Sequence, residues 1–389
     1  MMKRTALALA ALAMGSSAAW AQSSVTLYGI VDAGVRYTSN ANPGTSKKTM
    51  VPGGMSQSRL GVNITEDMGG GLKGIANMEH RLNSDTGAVA ATDFWRQVWV
   101  GMQSSDFGQI RLGRQYNILF DVYTSTFASF RYSPYIEAYK PEIGMAMAAR
   151  QDNMVKYLVQ VGNIYGEIQV SAGEGQSGAS AALPNKTAGG LLRYSDGTWG
   201  LGGAYLQATE QTGKKIKTTV LGGSYTDGAL YVHASWGENK YDAINGLITS
   251  ATSVSDATSP FRVALSTRGA YTSGLLGLSV FNNNSMDINK RTMYMFGATY
   301  QLTPQLNIGA NAWLTKQTHY GLPLAALGLS TTAGGSSKAD FYAFVADYAF
   351  SKRTDAYFEM DYTKTSGAVA FMNGATKLSG AMVGLRHRF

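Results

Sequence analysis

The sequence predicts an all-β protein, a closed antiparallel barrel that crosses a membrane with its strands. Three observations carry that expectation. The N-terminus reads as a secretory signal, so the chain leaves the cell interior. Beyond it no run approaches the roughly 18 apolar residues a membrane helix needs, so a crossing has to be made by a barrel without open edges. Period-two alternation then repeats to the C-terminus, with short turns on one side and longer loops on the other.

The signal comes first in the chain. Lys3 and Arg4 form a basic start, Thr5 to Met14 is almost wholly apolar, and Ala19-Trp20-Ala21 offers a small-residue cleavage pattern. Residues 1–21 are therefore expected to be removed, leaving one domain over 22–389. Loss of the two cations lowers the net charge from +8 to +6.

Strands follow in order. In VTLYGIVDAGVRY, Leu27, Gly29, Val31, Ala33 and Val35 share one face, and Asp32 and Arg36 the other. Thr38 to Gly54, polar and containing Gly and Pro, reads as a long loop. QSRLGVNIT sets Leu60, Val62 and Ile64 against Arg59, Gly61 and Asn63. EDMGGG turns the chain into LKGIANMEHRL. FWRQVWVGM turns at SSDFG into QIRLGRQY, where Ile110 and Leu112 oppose Gln109, Arg111 and Gly113.

From Arg114 to Arg150 runs a long segment rich in aromatic residues and charges. Asp121, Arg131, Glu137, Lys140 and Glu142 stand among Phe127, Phe130, Tyr132, Tyr135 and Tyr139. Loops longer than about 15 residues are uncommon in compact domains and usually functional. This one is expected to fold into the barrel and narrow it.

Hairpins resume after Arg150. In MYMFGATY, Tyr294, Phe296, Ala298 and Tyr300 make an apolar face. Tyr342, Phe344, Ala346, Tyr348 and Phe350 do so in FYAFVADYAF, leaving Asp347 on the other side, and Phe358, Met360 and Tyr362 oppose Glu359, Asp361 and Thr363. Side chains alternate faces along a strand, so these carboxylates need a wet interior if the aromatics face lipid. A soluble β-sandwich would invert the arrangement, and alternation alone fits both. The secretory signal, the scarcity of charge and the turn–loop asymmetry favour the membrane barrel. Counting hairpins gives eighteen strands, with FRVALSTRGAYTSGLLGLSVF contributing one whole hairpin.

Composition agrees and excludes other classes. Charged residues make up 15% of the chain, against about 25% in ordinary globular domains. Glycine occurs 46 times and tyrosine 22 times, which suits tight turns and aromatic belts. There is no cysteine, hence no disulfide framework or thiolate chemistry. His80, His233, His319 and His387 show neither metal-ligand spacing nor a catalytic constellation, so an enzyme is not expected, and no P-loop or GxGxxG pattern implies a cofactor. The modest positive charge is spread over strands and loops, which argues against nucleic-acid binding.

Several motifs together resemble the general diffusion porins of Gram-negative outer membranes: VTLYGIVDAGV, SRLGV followed by EDMGGGLKG, and WVGM with FGQIRLGRQY. FSKRTDAYFEMDY and the terminal VGLRHRF resemble the β-proteobacterial branch, and the resemblance runs from Val25 to Phe389. It implies a homotrimer of 16-stranded barrels in outer-membrane lipid and lipopolysaccharide, with the third loop inside, and it lowers the expected count from eighteen to sixteen. It further implies an eyelet in which wall arginines face loop carboxylates. Arg59, Arg96 and Arg150 fall where the arginines should stand. KPEIG makes Glu142 the facing carboxylate, with Asp121 and Glu137 as alternates. Ile30 stands where some relatives carry a cation on the first strand. The terminal Phe389, after Val383, Leu385 and His387, resembles the signal read by the barrel-assembly machinery.

The function expected is a water-filled channel for passive diffusion of small hydrophilic solutes, with a mild preference for anions, since arginines in excess of carboxylates favour anions in a pore. The alternative is a substrate-selective channel, or a surface-binding barrel that uses long loops around Lys240–Ser259 and His319–Lys338.

Overall fold

A computed structural model describes residues 23–42, 44–90, 94–130, 141–147, 149–173, 186–209, 215–242, 288–319, 335–367 and 375–389. The signal segment, Glu137 and the stretch 261–281 lie outside them. Among the described residues seventeen strands form one antiparallel sheet. They are β1 (Ser24–Asn42), β2 (Thr45–Val51), β3 (Arg59–Gly69), β4 (Leu72–Arg81), β5 (Trp95–Ser104), β6 (Gly108–Tyr116), β7 (Arg150–Val161), β8 (Ile164–Ser171) and β9 (Lys186–Ser195). The others are β10 (Trp199–Thr209), β11 (Lys215–Asp227), β12 (Leu230–Tyr241), β13 (Ile288–Gln301), β14 (Leu306–His319), β15 (Ser336–Ala349), β16 (Thr354–Ser366) and β17 (Lys377–Arg388).

The sheet closes on itself. β1 pairs with β17 from Ile30↔Arg388 to Thr38↔Gly380, and with β3 from Ser24↔Thr65 to Ile30↔Arg59. Closure leaves no unpaired edge for lipid to meet. Phe389 seals the seam by exchanging backbone hydrogen bonds with Gly29 at 3.0 and 3.1 Å. Its ring lies where a Cβ on Gly29 would be, 2.2 Å from Phe389 Cζ.

Sixteen strands make the wall, the number the resemblance implies rather than the eighteen of the hairpin count, because β12 pairs directly with β13 from Leu230↔Tyr300 to Lys240↔Lys290. Over that register the two strands are immediate neighbours. The loop expected over Thr38–Gly54 is largely strand, since β1 continues to Asn42 and turns back as β2, paired through Gly34↔Val51 and Asn42↔Thr45. β2 is the seventeenth strand and lies above the end of β3.

The faces divide as alternation predicts. Tyr294, Phe296, Tyr342, Phe344, Phe358 and Leu385 are exposed on the outer face. Asp347, Glu359, Asp361, Arg386 and Asp32 are buried on the inner one. Short turns join the strands at one rim. At one of them Asp196 accepts from the amides of Trp199 and Thr198 at 2.7 and 2.9 Å, which holds its carboxyl below the usual carboxylate range.

The segment between β6 and β7 enters the barrel as α1 (Ile118–Thr126) and returns through the short α2 (Pro141–Met145). Ile118, Leu119, Val122, Tyr123, Phe127 and Phe130 are buried there. Burying a side chain of that size stabilises by about 1.5–3 kcal/mol, so the lumen-side packing is strong enough to hold the segment inside.

Candidate functional site

The three arginines picked out by resemblance lie along one arc of the inner wall. Arg59 opens β3, and its Nε donates to the Gln57 carbonyl at 3.0 Å. Its Nη1 lies 3.8 Å from Glu79 Oε2, while Arg96 Nη1 donates to Glu79 Oε1 at 2.8 Å. Tyr28 completes the Glu79 cluster with a 3.0 Å hydrogen bond. Thus Arg59 and Arg96 share a wall carboxylate that the sequence reading missed, although Glu79 stands on the polar face of LKGIANMEHRL.

Arg96 reaches this face through an irregularity. Simple alternation with the exposed Val100 and Met102 would turn it outward. The β4–β5 register passes from Glu79↔Gln97 to His80↔Trp95, leaving Arg96 as a bulged residue. Bulges re-aim side chains in this way, and Arg96 is fully buried on the inner side.

Tyr116 links the next two arginines. The guanidinium carbons of Arg96 and Arg150 lie 5.4 and 5.6 Å from the centroid of its ring, within the range where a cation is attracted to an aromatic face. The same ring stacks on Phe120 of α1 at 3.9 Å. The arginine arc and the inward loop therefore meet at Tyr116. Arg81, opposite Arg59 in the β3–β4 register, adds another guanidinium to the face that carries Glu79.

The loop docks on the other arc. Asn117 caps α1 by accepting from the Phe120 amide at 3.0 Å and donates to the Ala146 carbonyl at 2.8 Å, joining the two ends of the loop. Inward glycines make the seat. A Cβ on Gly222 would come 2.8 Å from Phe127, on Gly237 2.6 Å from the Tyr123 hydroxyl, and on Gly309 2.9 Å from Phe130. Ser224 Oγ and the Tyr231 hydroxyl donate to the carbonyls of Thr126 and Ala128 at 2.6 and 3.0 Å.

The loop carboxylates divide. Glu142 accepts from Trp313 Nε1 of β14 at 2.8 Å and from Ser129 Oγ at 3.3 Å. β14 lies nine strands round the sheet from β5, so these bonds tie α2 to the far wall. Asp121 instead pairs with Lys156 of β7, whose Nζ is also 3.2 Å from Glu167. Around that pair stand Arg111, 4.4 Å above the Trp99 ring, and Arg193, 4.8 Å above the Tyr165 ring. A second basic group thus extends the arginine arc toward β9. Among the described residues no group of three or more His, Asp or Glu is placed to hold a metal ion.

Comparison with known proteins fits this architecture. The sequence profile described as Gram-negative porin matches residues 8–368. An outer membrane porin protein of Bordetella pertussis is 28% identical over the whole of both chains. The solved anion-selective porin from Comamonas acidovorans superposes with a TM-score of 0.70 at 22% identity, covering 95% of this chain and all of that one. The trimer form of OmpT, an outer membrane protein of Vibrio cholerae, superposes at 0.62 with 14% identity, covering 94% and 99%. The chain belongs to the Gram-negative porin family and forms a β-barrel channel of the outer membrane.

Proposed function

We propose that the barrel passes small hydrophilic solutes by passive diffusion and favours anions at the arc formed by Arg59, Arg96 and Arg150. The observation that supports this most is the charge of the arc: Arg59 and Arg96 converge on the wall carboxylate Glu79, Arg81 stands opposite Arg59, and Arg150 is joined to Arg96 across the Tyr116 ring. Low-dielectric walls focus such a field across a narrow opening. Asp121 and Glu142, and Glu137 by sequence alone, are the carboxylates proposed for the opposite side. Asp121 is the better placed of the two described, because Lys156 brings it to the basic arc. The anion selectivity named for the Comamonas porin points the same way.

The working unit is proposed to be a homotrimer in lipid and lipopolysaccharide, in keeping with the trimer form solved for a fold relative. Residues 1–21 would be removed on export, and Phe389 would present the assembly signal. No catalytic step is assigned.

Liposome swelling with uncharged sugars of increasing size tests the passive reading. Rates should fall smoothly with solute size and rise linearly with concentration. Saturation at low concentration would favour the substrate-selective alternative. That alternative needs aromatics along the open path, whereas Tyr123, Phe127 and Phe130 of the loop and Trp313 and Phe341 of the wall are buried.

A further inference from the structure

A second segment of the chain folds into the barrel. β1 pairs with β3 only through Ile30, and beyond it with β2, so the chain leaves the wall at Val51 and re-enters it at Arg59. Between them Gly53, Gly54, Met55, Ser56 and Ser58 are buried, Met55 completely. The segment lies on the inner side, because a Cβ on Gly54 would come 2.3 Å from Met382 Cε and 2.8 Å from the Tyr357 ring. Both of those residues are buried on the inner face of their strands.

Asp32 of β1 clasps this segment. Its carboxylate accepts from the Ser56 amide at 2.7 Å, the Gly54 amide at 3.3 Å and the Tyr357 hydroxyl at 2.6 Å. Ser58 Oγ donates to the Asp32 carbonyl at 3.1 Å and accepts from the Asp32 amide at 3.0 Å. Arg386 Nη1 adds a 2.9 Å bond to Ser56 Oγ. Between the two clasped serines stands Gln57, whose carbonyl takes Arg59 Nε. Arg59 and Ile30 are register partners, so the clasp sits at the height of the arginine arc.

We infer that residues 52–58 are a second constriction element and that Asp32 is a positioning residue for selectivity, acting through that segment on Arg59. This rests on the proposal that the arginine arc sets ion preference. The segment lines the sector between β16 and β3 and holds the first arginine of the arc in place. Asp32 therefore works against its own charge. Removing a lumenal carboxylate should by direct electrostatics favour anions, whereas releasing the clasp widens the opening and frees Arg59, which favours them less.

The test is single-channel recording on the full-length protein in planar bilayers, with Asp32→Ala, Tyr357→Phe and Arg59→Gln made separately and Asp32→Ala combined with Arg59→Gln. Asp32→Ala should raise conductance and lower the chloride-to-potassium permeability ratio by about twofold at 0.1 M salt. Tyr357→Phe, which removes one hydroxyl, should do the same more weakly and carries the comparison if Asp32→Ala does not assemble. In the Arg59→Gln background the Asp32 effect on the ratio should vanish, although the conductance still rises. A higher ratio in Asp32→Ala, or an unchanged ratio and conductance in the assembled clasp variants while Arg59→Gln lowers the ratio, would overturn the clasp alone. An Arg59→Gln channel with wild-type selectivity would overturn the arc proposal beneath it.

Discussion

Glu79→Gln isolates the charge of the arc with little change of shape. Glu79 lies 2.8 Å from Arg96 and 3.8 Å from Arg59 and takes a 3.0 Å hydrogen bond from Tyr28. A glutamine still offers an oxygen to Arg96, and its amide can face the Tyr28 oxygen, so the arc should keep its geometry while gaining one positive charge. For an ion about 5 Å away in water, a unit charge is worth about 0.8 kcal/mol. Screening at 0.1 M salt, where the Debye length is about 10 Å, reduces this to about 0.5 kcal/mol. The energy acts with opposite signs on chloride and potassium. Their permeability ratio should therefore shift toward chloride by about fivefold at 0.1 M and by only about 1.7-fold at 1 M. Reversal potentials in a KCl gradient measure it directly. An unchanged ratio at low salt, or a shift toward potassium, would refute the idea that this arc sets the field at the narrowest point.

Other perturbations separate the parts of the site. Asp121→Asn should strengthen anion preference less than Glu79→Gln, because Lys156 keeps Glu167 at 3.2 Å; reversal potentials at 0.1 M salt decide. Glu142→Ala withdraws the acceptor from the Trp313 indole at a cost of about 1–3 kcal/mol. It should raise open-channel noise and lower the temperature at which the folded barrel is lost in detergent, with only a small change in selectivity. Gly237→Val puts carbon 2.6 Å from the Tyr123 hydroxyl, so α1 should be pushed into the lumen and single-channel conductance should fall. Wild-type conductance in that variant would show that the seat of α1 does not set the opening.

Much of the barrel was legible because lipid enforces a strict rule. Tyr342, Phe344, Phe358 and Met360 read outward and Glu359 and Asp361 inward, since every second residue meets either hydrocarbon or the interior. The inward loop was legible from its length and its content of aromatic and charged residues. What stayed hidden depends on departures from period two. Arg96 is on the inner side only because of a bulge, so alternation would have misplaced it, and resemblance alone brought it forward. The clasped segment escaped notice because Pro52, Gly53 and Gly54 read as loop, and the Tyr357 and Met382 side chains that close on Gly54 lie about 300 residues away in sequence. Glu142 stood in a recognisable KPEIG turn, but its Trp313 partner is a tertiary contact that no local pattern carries. Gly222, Gly237 and Gly309 read as ordinary strand glycines until Phe127, Tyr123 and Phe130 were seen lying on them.

The most direct measurement of the central claim is the reversal potential of wild-type channels in a tenfold KCl gradient beside that of the Arg96→Gln/Arg150→Gln double variant. The account predicts that chloride outruns potassium in the wild type at low salt, and that the double variant loses most of that preference. A wild-type channel selective for potassium, or a double variant with the wild-type reversal potential, would contradict it.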